Sequence, residues 1–289
     1  MHRRLLGVLA AAFLGAAAVT AGPSTASAAP AQAAPAQAAP AQARADVDFT
    51  GIVALSNCSG SLVRVPGAAD SDPALVLTNG HCYEGGMPGA GQVITNRASQ
   101  RTFTLLDPSG SGSLGTLRAT TMVYATMTDT DVALYKLNTS YANIQQSYGV
   151  PALELSLERP AAGIDLRVVS GYWRRIYSCR LDGFAHRVRE ADWTWKDSLR
   201  YTPECDTIGG TSGSPVVDAA SGKVVGANNT MNENGERCTL NNPCEVDEAG
   251  NITVHEGIGY GQQTDILAAC IAPGSVIDYD RPGCLVPRG

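Results

Sequence analysis

Three short segments of this chain carry side chains that together could perform nucleophilic acyl transfer. Leu77-Thr78-Asn79-Gly80-His81-Cys82 runs from an apolar stretch into a His-Cys pair. Asp131-Val132-Ala133-Leu134 puts an acid at the head of another apolar stretch, and Asp129 is a rival acid two residues away on the same face of an extended chain. Gly209-Gly210-Thr211-Ser212-Gly213-Ser214-Pro215-Val216 sets a serine among glycines. Acyl-bond hydrolysis by a serine needs a hydroxyl activated by a base, a base oriented by a buried acid, and backbone donors that meet the developing oxyanion. Read singly, each segment has a bland explanation: a packed core pair, a strand cap, a flexible loop. Their joint appearance carries the reading.

Those side chains need a rigid frame, and the pattern beyond Thr50 supplies short strands. Gly51–Leu55, Ser61–Val65, Leu75–Thr78, Thr121–Ala125, Val132–Leu137, Leu166–Gly171, Gly213–Val217 and Val224–Ala227 are short apolar or alternating runs punctuated by Gly, Pro, Asn and Asp. Such spacing predicts an all-β sandwich or barrel. A helix is predicted in the second half at Thr264–Ile271, capped by Thr264 or Asp265 and ended by Pro273-Gly274. A quieter segment near Asn138–Pro160 separates two strand-rich halves.

The chain has 289 residues, 44% hydrophobic and 17% charged, enough apolar material for one large or two small domains. Residues 1–28 read as an export signal: Arg3 and Arg4, an apolar stretch from Leu5 to Val19, and the small-residue ending Ala26-Ser27-Ala28. That stretch is too short to span a bilayer, so no membrane anchor is expected. Residues 29–49 are a linker or short pro-segment, Ala-Pro-Ala-Gln-Ala written three times over its first part. Removing residues 1–28 leaves 19 basic against 27 acidic residues, with no basic cluster to track a phosphate backbone, so nucleic acid is not an expected partner. Eight cysteines behind an export signal read as a disulfide framework formed in an oxidising space, with about 105 possible pairings. No C-x-x-C pair exists, and the acid-rich loop between Asn232 and Asn251 lacks calcium-loop spacing, so no metal or other cofactor is expected.

The three segments resemble the chymotrypsin-like serine peptidases, in the chain order His, Asp, Ser. Gly210-Thr211-Ser212-Gly213-Ser214-Pro215 with the preceding Asp206-Thr207 is most similar to the bacterial secreted branch that includes the glutamyl endopeptidases. Tyr260 and Thr264-Asp265-Ile266-Leu267 resemble that family's last strand and C-terminal helix. The resemblance implies two six-stranded antiparallel β-barrels, over residues 50–148 and 149–289, with a short C-terminal helix. It implies a secreted, extracellular, monomeric endopeptidase acting on proteins or peptides through an acyl-enzyme. Ser212 would be the nucleophile, His81 the general base, and Asp131 the orienting acid, preferred to Asp129 because it directly precedes Val-Ala-Leu. The N–H groups of Gly210 and Ser212 would form the oxyanion hole. The family pattern also implies Cys58–Cys82; nearest sequential pairing gives Cys179–Cys205, Cys238–Cys244 and Cys270–Cys284.

Departures from the pattern matter. Thr211 stands where trypsin and chymotrypsin carry an acid that pairs with a freed N-terminus, and no Ile-Val-Gly-Gly start is present. Activation through that ion pair is therefore not expected, although cleavage near Arg44 could trim the linker. The specificity pocket has two readings. Asp206, six residues before Ser212, could select Arg or Lys. Alternatively it turns away, leaving Thr207, Asn228, Asn229 and Thr230 as a neutral lining suited to small or polar side chains. The glutamyl enzymes' pocket histidine is missing from this strand, and His255 reads as a surface residue. Two other functions compete: a secreted esterase, and a catalytically silent binding protein on the same fold.

Overall fold

The structure, a computed structural model, describes residues 46–289. The expected export signal and nearly all of the expected linker lie outside the described residues. Alternation of apolar and polar side chains builds the strands. Along Arg175–Glu190, Tyr177, Cys179 and Leu181 are buried while Ser178, Arg180 and Asp182 are exposed, the period-2 pattern of a strand with one face on a core.

The first half forms β1 (Ile52–Ala54), β2 (Ser59–Arg64), β3 (Pro73–Thr78), β4 (Val93–Ala98), β5 (Thr102–Leu106), β6 (Ser113–Thr126) and β7 (Val132–Ser140). Six of these close into an antiparallel barrel in the order β1-β5-β6-β7-β3-β2, sealed by β1 pairing with β2; β4 pairs with β6 outside the ring. Phe103, Met122, Tyr135 and Leu62 fill it. The segment after β7 forms a helix, α1 (Tyr141–Tyr148), which the sequence pattern did not announce. Ser140 caps it by accepting the Asn143 N–H, and Gly149 ends it at φ +72°, where a glycine costs least. A short strand, β8 (Leu153–Glu154), then pairs in parallel with β2.

The second half forms β9 (Asp165–Ser170), β10 (Arg175–Glu190), β11 (Trp193–Tyr201), β12 (Pro215–Asp218), β13 (Val224–Met231), β14 (Cys244–Val246), β15 (Ile252–Thr253) and β16 (Gly259–Gln263). β9-β10-β11-β16-β13-β12 follow one another in an antiparallel ring, closed by β12 pairing with β9, and β14–β15 extend the sheet from β10. After β16 come a short helix, α2 (Asp265–Ala268), and a small hairpin of β17 (Ile271–Ala272) and β18 (Val276–Ile277). A shared apolar cluster joins the halves: Ile52 and Leu75 pack in one core with Val169, Val217 and Val224, closed over by Leu267 of α2. The fold is thus all-β and chymotrypsin-like.

The eight cysteines are paired as Cys58–Cys82, Cys179–Cys205, Cys238–Cys244 and Cys270–Cys284. The first links the start of β2 to the turn after β3, closing a separation of 24 residues, which stabilises by about 3 kcal/mol in the chain-entropy picture.

Candidate active site

His81 sits on a single 3-10 turn, Gly80–Cys82, that ends β3. Asp131 immediately precedes β7, the neighbour of β3 in the barrel. The pairing of those two strands delivers both side chains to one end of the first barrel. The Asp131 carboxylate is fully buried and holds the histidine twice: Oδ1 accepts the His81 backbone N–H at 3.0 Å and Oδ2 lies 2.7 Å from Nδ1. Asn79 Nδ2 donates to the Asp131 carbonyl at 2.8 Å, fixing the backbone that carries the acid. Gly80 makes this approach possible, because a Cβ there would lie 2.0 Å from the Thr126 carbonyl oxygen and 3.0 Å from Asp131 Oδ1. Burial alone would push the imidazole pKa down. The charge and hydrogen bond of Asp131, with the charge of Glu190, outweigh it and hold the group above its ordinary 6.5.

Ser212 comes from the second barrel, on the loop before β12. Its carbonyl accepts the Ser59 N–H at 2.8 Å, and the next residue, Gly213, donates to the Asn228 carbonyl at 2.9 Å. Gly213 has φ +77°, and a Cβ on it would meet Thr78 Oγ1 at 2.1 Å and the Ser59 carbonyl at 2.3 Å, so the Ser212 loop lies hard against β2 and β3. His81, Asp131 and Ser212 line one cleft. Ser212 Oγ points to the Asn229 carbonyl at 3.4 Å and, among the described residues, makes no hydrogen bond with His81. Such bonds are often long without substrate and tighten on binding.

The loop before Ser212 spends its amides unevenly. Thr211 N–H donates to Ile208, Gly213 N–H to Asn228 and Ser214 N–H to Thr211. Among the described residues the N–H groups of Gly210 and Ser212 have no protein acceptor. Gly210 takes φ +89°, which a side chain would resist. Thr211 is buried; its hydroxyl donates to the Ile208 carbonyl and accepts from Asn228 Nδ2 at 3.0 Å, so neutral hydrogen bonds brace this position.

The structure does not bring Asp206 into the cleft: its side chain is exposed, while Thr207, Asn228, Asn229 and Thr230 line the wall. Asp129 is turned to Lys196, 2.6 Å away, and its backbone pairs with β11. His255 lies 3.8 Å from Glu245 and outside the cleft. Sequence reasoning missed Glu190, Trp193 and Trp195, which line the cleft from the β10–β11 hairpin. Glu190 is buried, with Oε1 accepting the Asn241 N–H at 2.8 Å. Burial raises its carboxyl pKa against the opposing pull of the Thr230 hydroxyl, the Asn241 amide and His81. No local motif marks it, since only the return of a 16-residue strand carries it to His81.

The family model of the trypsin-like peptidase domain matches residues 58–226, a span that contains His81, Asp131 and Ser212. No curated protein matches the chain. Among solved structures, the MamO protease domain from Magnetospirillum magneticum is similar at 13% identity, with 77% of this chain and 96% of that one covered and a TM-score of 0.47. The serine endoprotease from Yersinia pestis aligns at 14% identity over 77% of this chain and 62% of that one, TM-score 0.44. Nocardiopsis protease aligns at 13% identity over 76% and 95%, TM-score 0.42. These matches do not single out the glutamyl-endopeptidase branch. With the family model covering more than half its length, the chain belongs to the trypsin-like peptidase family of chymotrypsin-like serine endopeptidases.

Proposed function

We propose that this chain is a secreted endopeptidase that cleaves proteins or peptides through a Ser212 acyl-enzyme. The observation that carries the reading is the meeting of a buried Asp131–His81 pair from one barrel with Ser212 from the other, beside two unused backbone N–H groups. With Nδ1–H held by Asp131, the other ring nitrogen, Nε2, is the one free to take a proton. Ser212 Oγ attacks the scissile carbonyl as His81 Nε2 removes its proton. The tetrahedral oxyanion is met by the N–H groups of Gly210 and Ser212. His81 then protonates the leaving amine, and a water, activated by the same imidazole, releases the acyl group. Asp131 keeps the tautomer and stabilises the imidazolium.

Four disulfides and the export signal read from residues 1–28 support an extracellular site of action. Among the described residues no helix is long and apolar enough to cross a membrane. The test is Ser212→Ala assayed with casein and a fluorophosphonate probe. Folding and export should be retained, labelling lost, and proteolysis reduced by roughly 10⁴-fold or more. Proteolysis that survives the substitution would sink the assignment. Labelling of wild-type Ser212 without casein cleavage would favour an esterase.

A further inference from the structure

We propose that Trp173 is a positioning residue whose indole latches the Gly209–Gly210 peptide in the rotation that offers the Gly210 N–H to the oxyanion. This inference rests on the serine-peptidase reading above.

The segment Ile208–Thr211 is a tight turn, closed by the Thr211 N–H donating to the Ile208 carbonyl at 3.0 Å. Gly210, its third residue, has φ +89°, which is the type II turn with its third residue near +80°. A type I turn keeps the same closing hydrogen bond but places that residue near −90°, and the two differ by rotating the central peptide through about half a turn. Here the central peptide is Gly209–Gly210, and neither residue has a side chain to resist the rotation. Rotated, the peptide would present the Gly209 carbonyl where the Gly210 N–H had been. An electronegative oxygen would then face the site where negative charge develops. The closing bond cannot choose between the two, so the choice has to come from outside the turn.

Trp173 supplies it. Its Nε1–H donates to the Gly209 carbonyl at 2.7 Å. In a trans peptide the C=O and N–H point in opposite directions, so holding the carbonyl outward on the indole holds the Gly210 N–H on the other side. The next carbonyl is held as well, because Ser59 Oγ donates to the Gly210 carbonyl at 3.2 Å. The indole is itself anchored. Trp173 N–H donates to Ser170 Oγ at 3.2 Å, Tyr172 N–H donates to Ser59 Oγ at 3.1 Å, and the Tyr172 ring meets the indole edge-on at 5.0 Å. Since Ser59 gives its proton to Gly210, the 3.0 Å contact between the two hydroxyls runs from Ser170 to Ser59, so each hydroxyl has one acceptor for its proton. A Cβ on Gly210 would come within 2.9 Å of Tyr172 and 3.0 Å of Trp173 Nε1, so the aromatic pair lies directly on the turn. Trp173 is 48% exposed, so core packing does not explain a tryptophan at this place.

The test compares wild type, Trp173→Phe, and a protein carrying the benzothiophene analogue of tryptophan at position 173, which keeps the shape and loses the N–H. Steady-state hydrolysis of p-nitrophenyl acetate gives kcat and KM, and the fluorophosphonate labelling rate reports formation of a tetrahedral adduct in the same hole. Both variants should lose about tenfold in kcat and in labelling rate, equivalent to about 1.4 kcal/mol, with KM within about twofold of wild type. The loss stays below the roughly 10²–10³-fold cost of removing an oxyanion donor outright, because a fraction of molecules keeps the productive rotation. Unchanged kcat and labelling in the analogue protein would overturn the latch, as would a rise in KM alone, which would make the indole a substrate contact. Turnover that survives Ser212→Ala would overturn the serine-peptidase reading and the latch with it, a result distinct from either.

Discussion

His81 faces acids on the side of its cleft. Of the residues lining its cleft, Asp131, Glu190 and Glu233 are acids and none is Lys or Arg. The charges of Asp131 and Glu190 favour the imidazolium, and burial is the opposing force. In the proposed mechanism His81 must be neutral before it can accept the serine proton, so a raised pKa moves the acid limb of the activity profile to higher pH. Glu190 contributes to that rise from the buried end of β10, held there by the Asn241 amide. Glu190→Gln keeps the shape and removes the charge. The imidazolium then loses stabilisation, the His81 pKa falls, and the acid limb of kcat/KM shifts to lower pH. A pH profile of casein hydrolysis by the two proteins checks this. A coincident limb would mean that Glu190 is already uncharged where His81 titrates.

Elements matter here through how closely they pass one another. The 3-10 turn after β3 can bring His81 onto Asp131 only because Gly80 has no side chain to hold it off the Thr126 carbonyl. Gly80→Ala asks backbone, not a flexible side-chain tip, to give way, so the turn must lift from the β6–β7 connection. Overpacking of this kind costs about 1–3 kcal/mol in stability. Activity should suffer more, falling by about 10²-fold, since a displacement near 1 Å of a catalytic group costs that much. Thermal melts and casein assays on one preparation separate the two effects; a variant with wild-type activity would show that the turn yields without moving His81. The same elements show what was legible beforehand. Strands such as Leu75–Thr78 and Val132–Leu137 were readable because one face meets a core and the alternation survives in the sequence. The segments of His81, Asp131 and Ser212, which line one cleft, stood out because the chemistry proposed for them fixes residue types within a few positions of a turn. Helix α1 was not, since only Tyr141 and Ile144 are buried in it and two apolar positions make no periodic signal. Glu190 and Trp173 were equally silent. Their neighbours, His81 and Gly209, are brought to them by barrel closure, which no local spacing encodes.

At the scale of the whole molecule the cleft exists only while the two barrels stay in register, because one supplies His81 and Asp131 and the other Ser212. Two kinds of contact hold that register. The apolar cluster joining Ile52 and Leu75 to Val169 and Val217 is non-directional and would tolerate some sliding. The polar cluster beneath Ser212 would not. Ser59, fully buried at the start of β2, donates through Oγ to Gly210, accepts from Tyr172 and contacts Ser170 at the end of β9, while its carbonyl accepts the Thr78 hydroxyl at 2.8 Å and its N–H donates to the Ser212 carbonyl at 2.8 Å. Ser59→Ala removes the hydroxyl and leaves the buried Ser170 hydroxyl without its acceptor. Stranding a buried polar group costs about 1–3 kcal/mol. For a folded unit of this size, Tm should fall by about 2–4 °C for each kcal/mol. Because the apolar cluster still spans both barrels, calorimetry should show a single transition moved to lower temperature. Two resolved transitions would show instead that Ser59, and not the shared core, couples the barrels. An unmoved Tm would show that the serine cluster does not contribute to the stability of the fold.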